Sequence, residues 1–193
     1  MNPPHPPTDG LSPFYRKEGG CYLIEIKLSD VRQLFNSLDP SPFIEKDLDE
    51  DAEAYIVQTA TELPIKALVK LVVHLPTAQA QAQGDELEQA VRRYFDYRYR
   101  VVGQELRQKL RNGRKSLAVG LTVLFLSIAG YKGVGSLGDE VWWGILAEGL
   151  MIGGWVAMWR PLETFLYDWW PIERRRKIYD KLRVMAVEVR EIA

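Results

Sequence analysis

The stretch VWWGILAEGLMIGGWVAMW (141–159) holds 19 residues and a single charge, Glu148. A helix rises about 1.5 Å per residue, and the hydrocarbon core of a bilayer takes roughly 20 residues to cross. A second apolar run, SLAVGLTVLFLSIAGY (116–131), precedes it, and Val134 and Leu137 extend that run. Two arrangements could accommodate such segments in a chain of 193 residues. They form a buried hairpin in a soluble core, or they cross a membrane. A buried hairpin needs an apolar shell on all sides, and the rest of the chain is too small and too charged to supply one. The sequence therefore predicts a transmembrane hairpin over 116–160, with spans at 116–134 and 141–159.

Charge is distributed to match. Residues 85–115 carry 9 basic and 5 acidic side chains, 116–159 carry 1 and 3, and 160–193 carry 8 and 6. Residues 1–84 carry 7 and 12, so the net charge of −1 conceals basic flanks around a nearly uncharged middle. That is a membrane pattern rather than a nucleic-acid one. Seven Lys/Arg occupy 95–115 and five occupy 160–180, whereas the loop 132–140 has Lys132 beside Asp139 and Glu140. The positive-inside rule then puts both termini in the cytoplasm and the loop outside.

All six tryptophans lie between 142 and 170. Trp142 and Trp143 open the second span, and Trp155 and Trp159 close it. The 17 residues from 142 to 159 cover about 25 Å of helix, which places the two groups at opposite headgroup layers. After Arg160, Pro161 suits the first turn of a new helix. Leu162, Phe165, Leu166 and Trp169 form an apolar stripe opposite Glu163, Thr164 and Asp168, the layout of a helix lying in the interface. Trp170 and Pro171 follow, and Arg174, Arg175, Arg176 and Lys177 would meet anionic headgroups.

The remainder reads as a small cytoplasmic α/β (α+β) domain. CYLIEIKL (21–28) alternates as a half-buried strand, and IKALVKLVVHL (65–75) gives a second. SDVRQLFNSLD suits a short amphipathic helix behind a Ser29 cap, and a further helix runs from Leu48 to about Glu62. TAQAQAQG (77–84) reads as a linker, followed from Asp85 by a long helix with a potential break at Asn112-Gly113. VMAVEVREI (184–192) alternates as a third strand that pairs with one of the first two, because a lone strand leaves its backbone unsatisfied. The expected organisation is a Pro-rich arm (1–20), an α/β domain with its long helix (21–115), the hairpin (116–160), and an interfacial helix plus a final strand (161–193) completing a three-stranded sheet.

Several residues invite a chemical reading. Glu148 lies mid-span, where a carboxylate is costly, so it faces a partner helix, a cavity or another subunit. Thr122 and Ser127 are the candidate partners within the hairpin. Gly149, Gly153 and Ala157 form a small-xxx-small ridge beside it, and Ser116 with Gly120 offers a shorter one. These ridges serve packing within the hairpin or self-association. GVGSLG (133–138) matches a dinucleotide fingerprint literally but follows an apolar helix, so the required strand context is missing. Asp47, Asp49 and Asp51 lack the spacing of a calcium loop and fit a helix start, with Asp47 and Glu50 as a capping box. His74 has no nucleophile motif beside it, and there is no HExxH, GxSxG or Walker sequence. The lone Cys21 excludes an internal disulfide. The start has no apolar h-region, so no cleavable signal is expected. No catalytic residue, cofactor or metal site is assigned.

The stretches SLDPSPF (37–43), DLDEDAEAYIV (47–57), LVVHL (71–75) and MIGGWVAMWRPLETFLYDWWP (151–171) together resemble an uncharacterised family of small bacterial membrane proteins with two transmembrane segments. The likeness covers roughly residues 22–190, and the tryptophan-rich block is its most specific part. It implies a bacterial inner-membrane location only, and no activity, ligand or catalytic residue carries over from it. The functional expectation is a non-enzymatic, membrane-anchored module that forms a homo-oligomer and presents its α/β domain to a cytoplasmic protein. The alternatives are an oligomeric ion or proton conduit centred on Glu148, and an enzyme acting on a membrane-associated substrate.

Overall fold

A computed structural model of the chain describes residues 15–135 and 141–192. The first fourteen residues of the proline-rich arm, and the part of the loop from 136 to 140, lie outside that range. Two compact units are present. One comprises the residues up to Val101 together with those from Arg175 onward, and the other is Val102–Arg174.

The first unit is built on a mixed sheet of four strands: β1 (Lys17–Glu18), β2 (Cys21–Lys27), β3 (Val69–Pro76) and β4 (Ala186–Ile192), in that spatial order. Three strands follow the alternation of the sequence. The fourth, β1, is only two residues long and exists because Gly19 and Gly20 adopt φ of +57° and +82°, reversing the chain into an antiparallel pair with β2. Only glycine enters that region cheaply. β2, β3 and β4 run parallel, with Ile24 opposite Leu71 and Leu71 opposite Val187. The C-terminal strand thus pairs with β3.

Helix α1 (Glu50–Glu62) links β2 to β3. Its N-cap is Asp49, which accepts from the backbone N–H of Asp51 at 3.0 Å, so the capping box expected at Asp47 is not formed. Asp47 instead donates its own N–H to the Asp39 carboxylate at 2.7 Å. Leu63 ends the helix in an extended conformation, as the residue before Pro64 must. Ahead of α1, the expected amphipathic helix is only a 3-10 turn, Val31–Leu34, capped by Asp30 rather than Ser29. Four residues bury Val31 and Leu34, and Phe35 then leaves the turn to bridge Leu48.

Helix α2 (Thr77–Gly135) takes up directly from β3 and runs for 59 residues without a break. TAQAQAQG is its first turns and not a linker, because alanine and glutamine are good helix formers and no proline occurs from 77 to 160. Asn112 and Gly113 do not interrupt it. Leu87, Val91 and Phe95 of α2, Ile56 of α1, and Ile178 and Leu182 of helix α4 (Trp170–Arg183) are buried with Ile24, Leu71, Val73 and Leu75. They form the core of the sheet unit.

The second unit pairs the C-terminal half of α2 with helix α3 (Val141–Glu163). Pro161 does not start a new helix. It lies inside α3, and the chain then widens into a π-helical segment, Thr164–Asp168, before α4. Proline lacks an N–H and crowds the carbonyl four residues back, and a wider turn relieves that crowding.

Candidate functional site

The two helices of the second unit meet through small residues. A Cβ placed on Gly154 would stand 2.9 Å from Ser127 Cβ, one on Gly130 would stand 3.0 Å from Leu150 Cδ1, and one on Gly113 would stand 2.8 Å from Thr164 Cγ2. At Gly120 the obstacle is backbone: the Ala157 carbonyl oxygen, 2.9 Å away. Ala157 is the residue whose carbonyl would accept from position 161 in an unbroken helix, and Pro161 has no hydrogen to give. With no side chain, Gly120 leaves room for that oxygen, which any larger residue there would meet.

Of the expected ridge, Ala157 enters this seam through its backbone, and Gly149 and Gly153 do not take part in it. No atom lies within 4 Å of a Cβ built at Gly149 or Gly153. The helix pair packs on Gly154 and the buried Ala147 instead, while Ala157 is half-buried. Glu148 is exposed and has no hydrogen-bond partner among the described residues. The Thr122 hydroxyl donates to Ala118 O at 2.9 Å, and Ser127 is buried against Gly154, so neither serves Glu148.

The apolar side chains of this unit point outward. Two helices are long and apolar enough to cross a membrane, and only 11% of the most apolar window of each is buried. Trp142 (76% exposed), Trp155 and Trp159 (73%) are open on α3, Trp143 is half-buried, and Phe125 (79%) is open on α2.

The acidic and basic residues at the foot of α3 hold the unit together. Lys109 of α2 pairs with Asp168 at 2.8 Å, and Thr164 Oγ1 lies 3.5 Å from the same carboxylate. The Lys109 ammonium keeps the Asp168 carboxyl below its usual range. Arg160 pairs with Glu163 at 3.1 Å. The Trp169 indole donates to Phe165 O at 2.9 Å, and Trp169 and Trp170 stack edge to face at 6.2 Å. Of the basic run, Arg174, Arg175 and Lys177 are exposed. Arg176 turns into the sheet unit, where it donates to the Tyr99 hydroxyl at 2.8 Å and lies over that ring.

The sheet unit contains a polar cluster that sequence reasoning missed. The Glu53 carboxylate accepts from the hydroxyls of Tyr94 (2.6 Å) and Tyr179 (2.7 Å) and pairs with Arg98 at 2.9 Å. Burial, then the Glu53 hydrogen bond, pushes the Tyr94 hydroxyl far above the usual tyrosine range. The cluster ties α1 to α2 and α4. Its members are 41 and 126 residues apart, so no local spacing could have signalled it. Lys181 is also buried, donating to Ala60 O (3.2 Å) and Pro64 O (3.1 Å) where α1 ends. On the face of the sheet that carries Lys70 and Val72, His74 Nε2 lies 3.2 Å from Glu25.

No protein-family model matches the chain, and no curated protein or solved structure matches it.

Proposed function

We propose that this chain is an integral protein of the bacterial inner membrane whose α2/α3 pair crosses the bilayer, with both termini in the cytoplasm. In this reading it is a non-enzymatic module. It self-associates through α3 and presents its sheet unit to a cytoplasmic protein. The observation that carries the reading is the pairing of an open glycine ridge with an unpartnered carboxylate. Gly149 and Gly153 are left vacant by the helix pair, which has already packed on Gly154. Glu148, about 100° around the helix from Gly149, has no internal partner. In hydrocarbon a charged group costs about 3 kcal/mol or more, and a second copy supplies both the surface and the hydrogen bond that reduce the cost. The outward Trp142, Trp155 and Trp159 support the bilayer placement, and the basic flanks support the orientation.

The test is a subunit count in lipid nanodiscs or mild detergent, by single-molecule photobleaching, for the wild type and for Gly149→Leu with Gly153→Leu. The expected result is an oligomer that dissociates in the double variant. A monomer at every concentration would sink the reading. The unpartnered Glu148 also favours a second reading, an ion or proton conduit through the oligomer. Proteoliposome flux that is present in the wild type and abolished by Glu148→Gln would select it.

A further inference from the structure

Fifteen arginines occur in the chain, and all but four are engaged. In the sheet unit Arg92 faces Glu88, Arg93 faces Glu45, Arg98 faces Glu53, Arg100 faces Asp96, and Arg183 faces Asp180. Among the described residues, Arg107, Arg111, Arg114 and Arg174 have no ion pair or hydrogen bond. All four belong to the unit that carries the apolar helices. Arg107, Arg111 and Arg114 stand at i, i+4 and i+7 on α2, within about 60° of one another around the axis, and all are exposed. Lys115, also exposed, follows them. The opposite side of the same turns is occupied by Leu106 and Gly113, both buried. No aspartate or glutamate occurs from 106 to 138, so the strip has no acidic side chain of its own helix to compensate it.

We propose that Arg111 and Arg114, flanked by Lys115 and Arg107, bind the phosphates of anionic phospholipid headgroups. The proposal rests on the membrane reading of the apolar helices. Charge complementarity asks for an anion, and the neighbouring surface says which kind. Immediately beyond Lys115 the same helix exposes Val119, Leu121 and Phe125, a surface that suits acyl chains and not a nucleic acid or a soluble phosphate. The helical rise then ranks the residues. Arg114 lies about 3 Å and Arg111 about 7.5 Å from Ser116, inside a headgroup layer roughly 5–7 Å deep or at its margin. Arg107 lies about 13.5 Å out, beyond the headgroups, where it acts only as a diffuse attraction over a Debye length of about 8 Å. Arginine matches the phosphate with a planar two-pronged donor, which lysine does not.

The experiment reconstitutes the full chain in phosphatidylcholine vesicles with and without phosphatidylglycerol. It measures the preference of spin-labelled phosphatidylglycerol over spin-labelled phosphatidylcholine for the protein boundary. The wild type is expected to prefer phosphatidylglycerol severalfold. Arg111→Gln and Arg114→Gln should each lower the preference by about five-fold or abolish it, and Arg107→Gln should change it by less. Arg92→Gln, which disrupts a pair already satisfied by Glu88, should leave it unchanged. Quenching of tryptophan by brominated acyl chains reports insertion separately. Absent quenching defeats the membrane reading itself. Quenching with no phosphatidylglycerol preference, or with a preference that survives the Arg111→Gln/Arg114→Gln double variant, overturns the lipid strip alone. Displacement of the labelled lipid by millimolar inorganic phosphate at constant ionic strength also overturns it, since the ligand would then be a free anion.

Discussion

Gly120 of α2 lies against the carbonyl oxygen of Ala157, the one oxygen of α3 that Pro161 deprives of its helical donor. The proline and the glycine are therefore complementary although 41 positions separate them. Gly120→Ala should force the helices apart, at about 1–3 kcal/mol for an overpacked contact, with a lower midpoint for loss of α2/α3 proximity in thermal melts. Gly144→Ala, where no atom stands within 4 Å, is the matched control and should be neutral or slightly stabilising. Equal effects of the two substitutions would remove the contact from the account.

The Glu53 cluster joins α1 to α2 and α4, so its loss should lower the stability of the sheet unit. Glu53→Gln keeps the shape but removes the charge that Arg98 and two hydroxyls share, and Glu53→Ala takes the acceptor from both hydroxyls and the ion pair from Arg98, which keeps only its hydrogen bond to the Tyr179 hydroxyl. We expect a loss of about 1–3 kcal/mol for the first and about 3–5 kcal/mol for the second. Hydrogen exchange of the β3 amides is the suitable readout, because those strands open only with the unit as a whole. Tyr179→Phe should cost about 1 kcal/mol.

Burial draws the Lys181 amine down to about 8. An unfolded lysine titrates near 10.4, so between those values the unfolded chain holds more protons than the folded one. The contribution to stability is complete above about pH 10.4 and is lost as the pH falls to about 8. The unfolding midpoint of the sheet unit should therefore rise over that window. Lys181→Met should flatten the slope while costing the two carbonyls their donor, and a slope unchanged in that variant would refute the assignment.

Much of the sheet unit was legible in the sequence because alternation over six or more residues reports a half-buried strand directly. CYLIEIKL, the later part of IKALVKLVVHL, and the end VMAVEVREI all became strands, and α1 ends where expected at Glu62. β1 was not legible, since two residues between turns carry no period. TAQAQAQG was misread because low complexity suggests a linker, whereas the backbone obeys the helix propensity of alanine and glutamine. Pro161 was misread because its tolerance inside α3 depends on the wider turn after it and on Gly120 far upstream.

The candidate site was legible in composition but not in register. Glu148, Gly149 and Gly153 stand out in any apolar helix. That the helix pair packs on Gly154, one residue along, is decided by side chains of α2 that no reading of α3 alone contains. Arg160, Glu163 and Asp168, which membrane anchoring by itself does not require, proved to be internal pairs.

β3 is the most deeply buried strand, and one of its two neighbours is β4. Between Pro76 and Ala186 lie 109 residues, including both apolar helices. A ribosome adding 5–20 residues per second needs roughly 5–20 s to make that interval. Throughout it, the edge of β3 that β4 will cover is open, and Tyr179 has not arrived to meet Glu53. The sheet unit therefore cannot close before the helix pair has been synthesised, so its completion is timed by the delivery of its most apolar part.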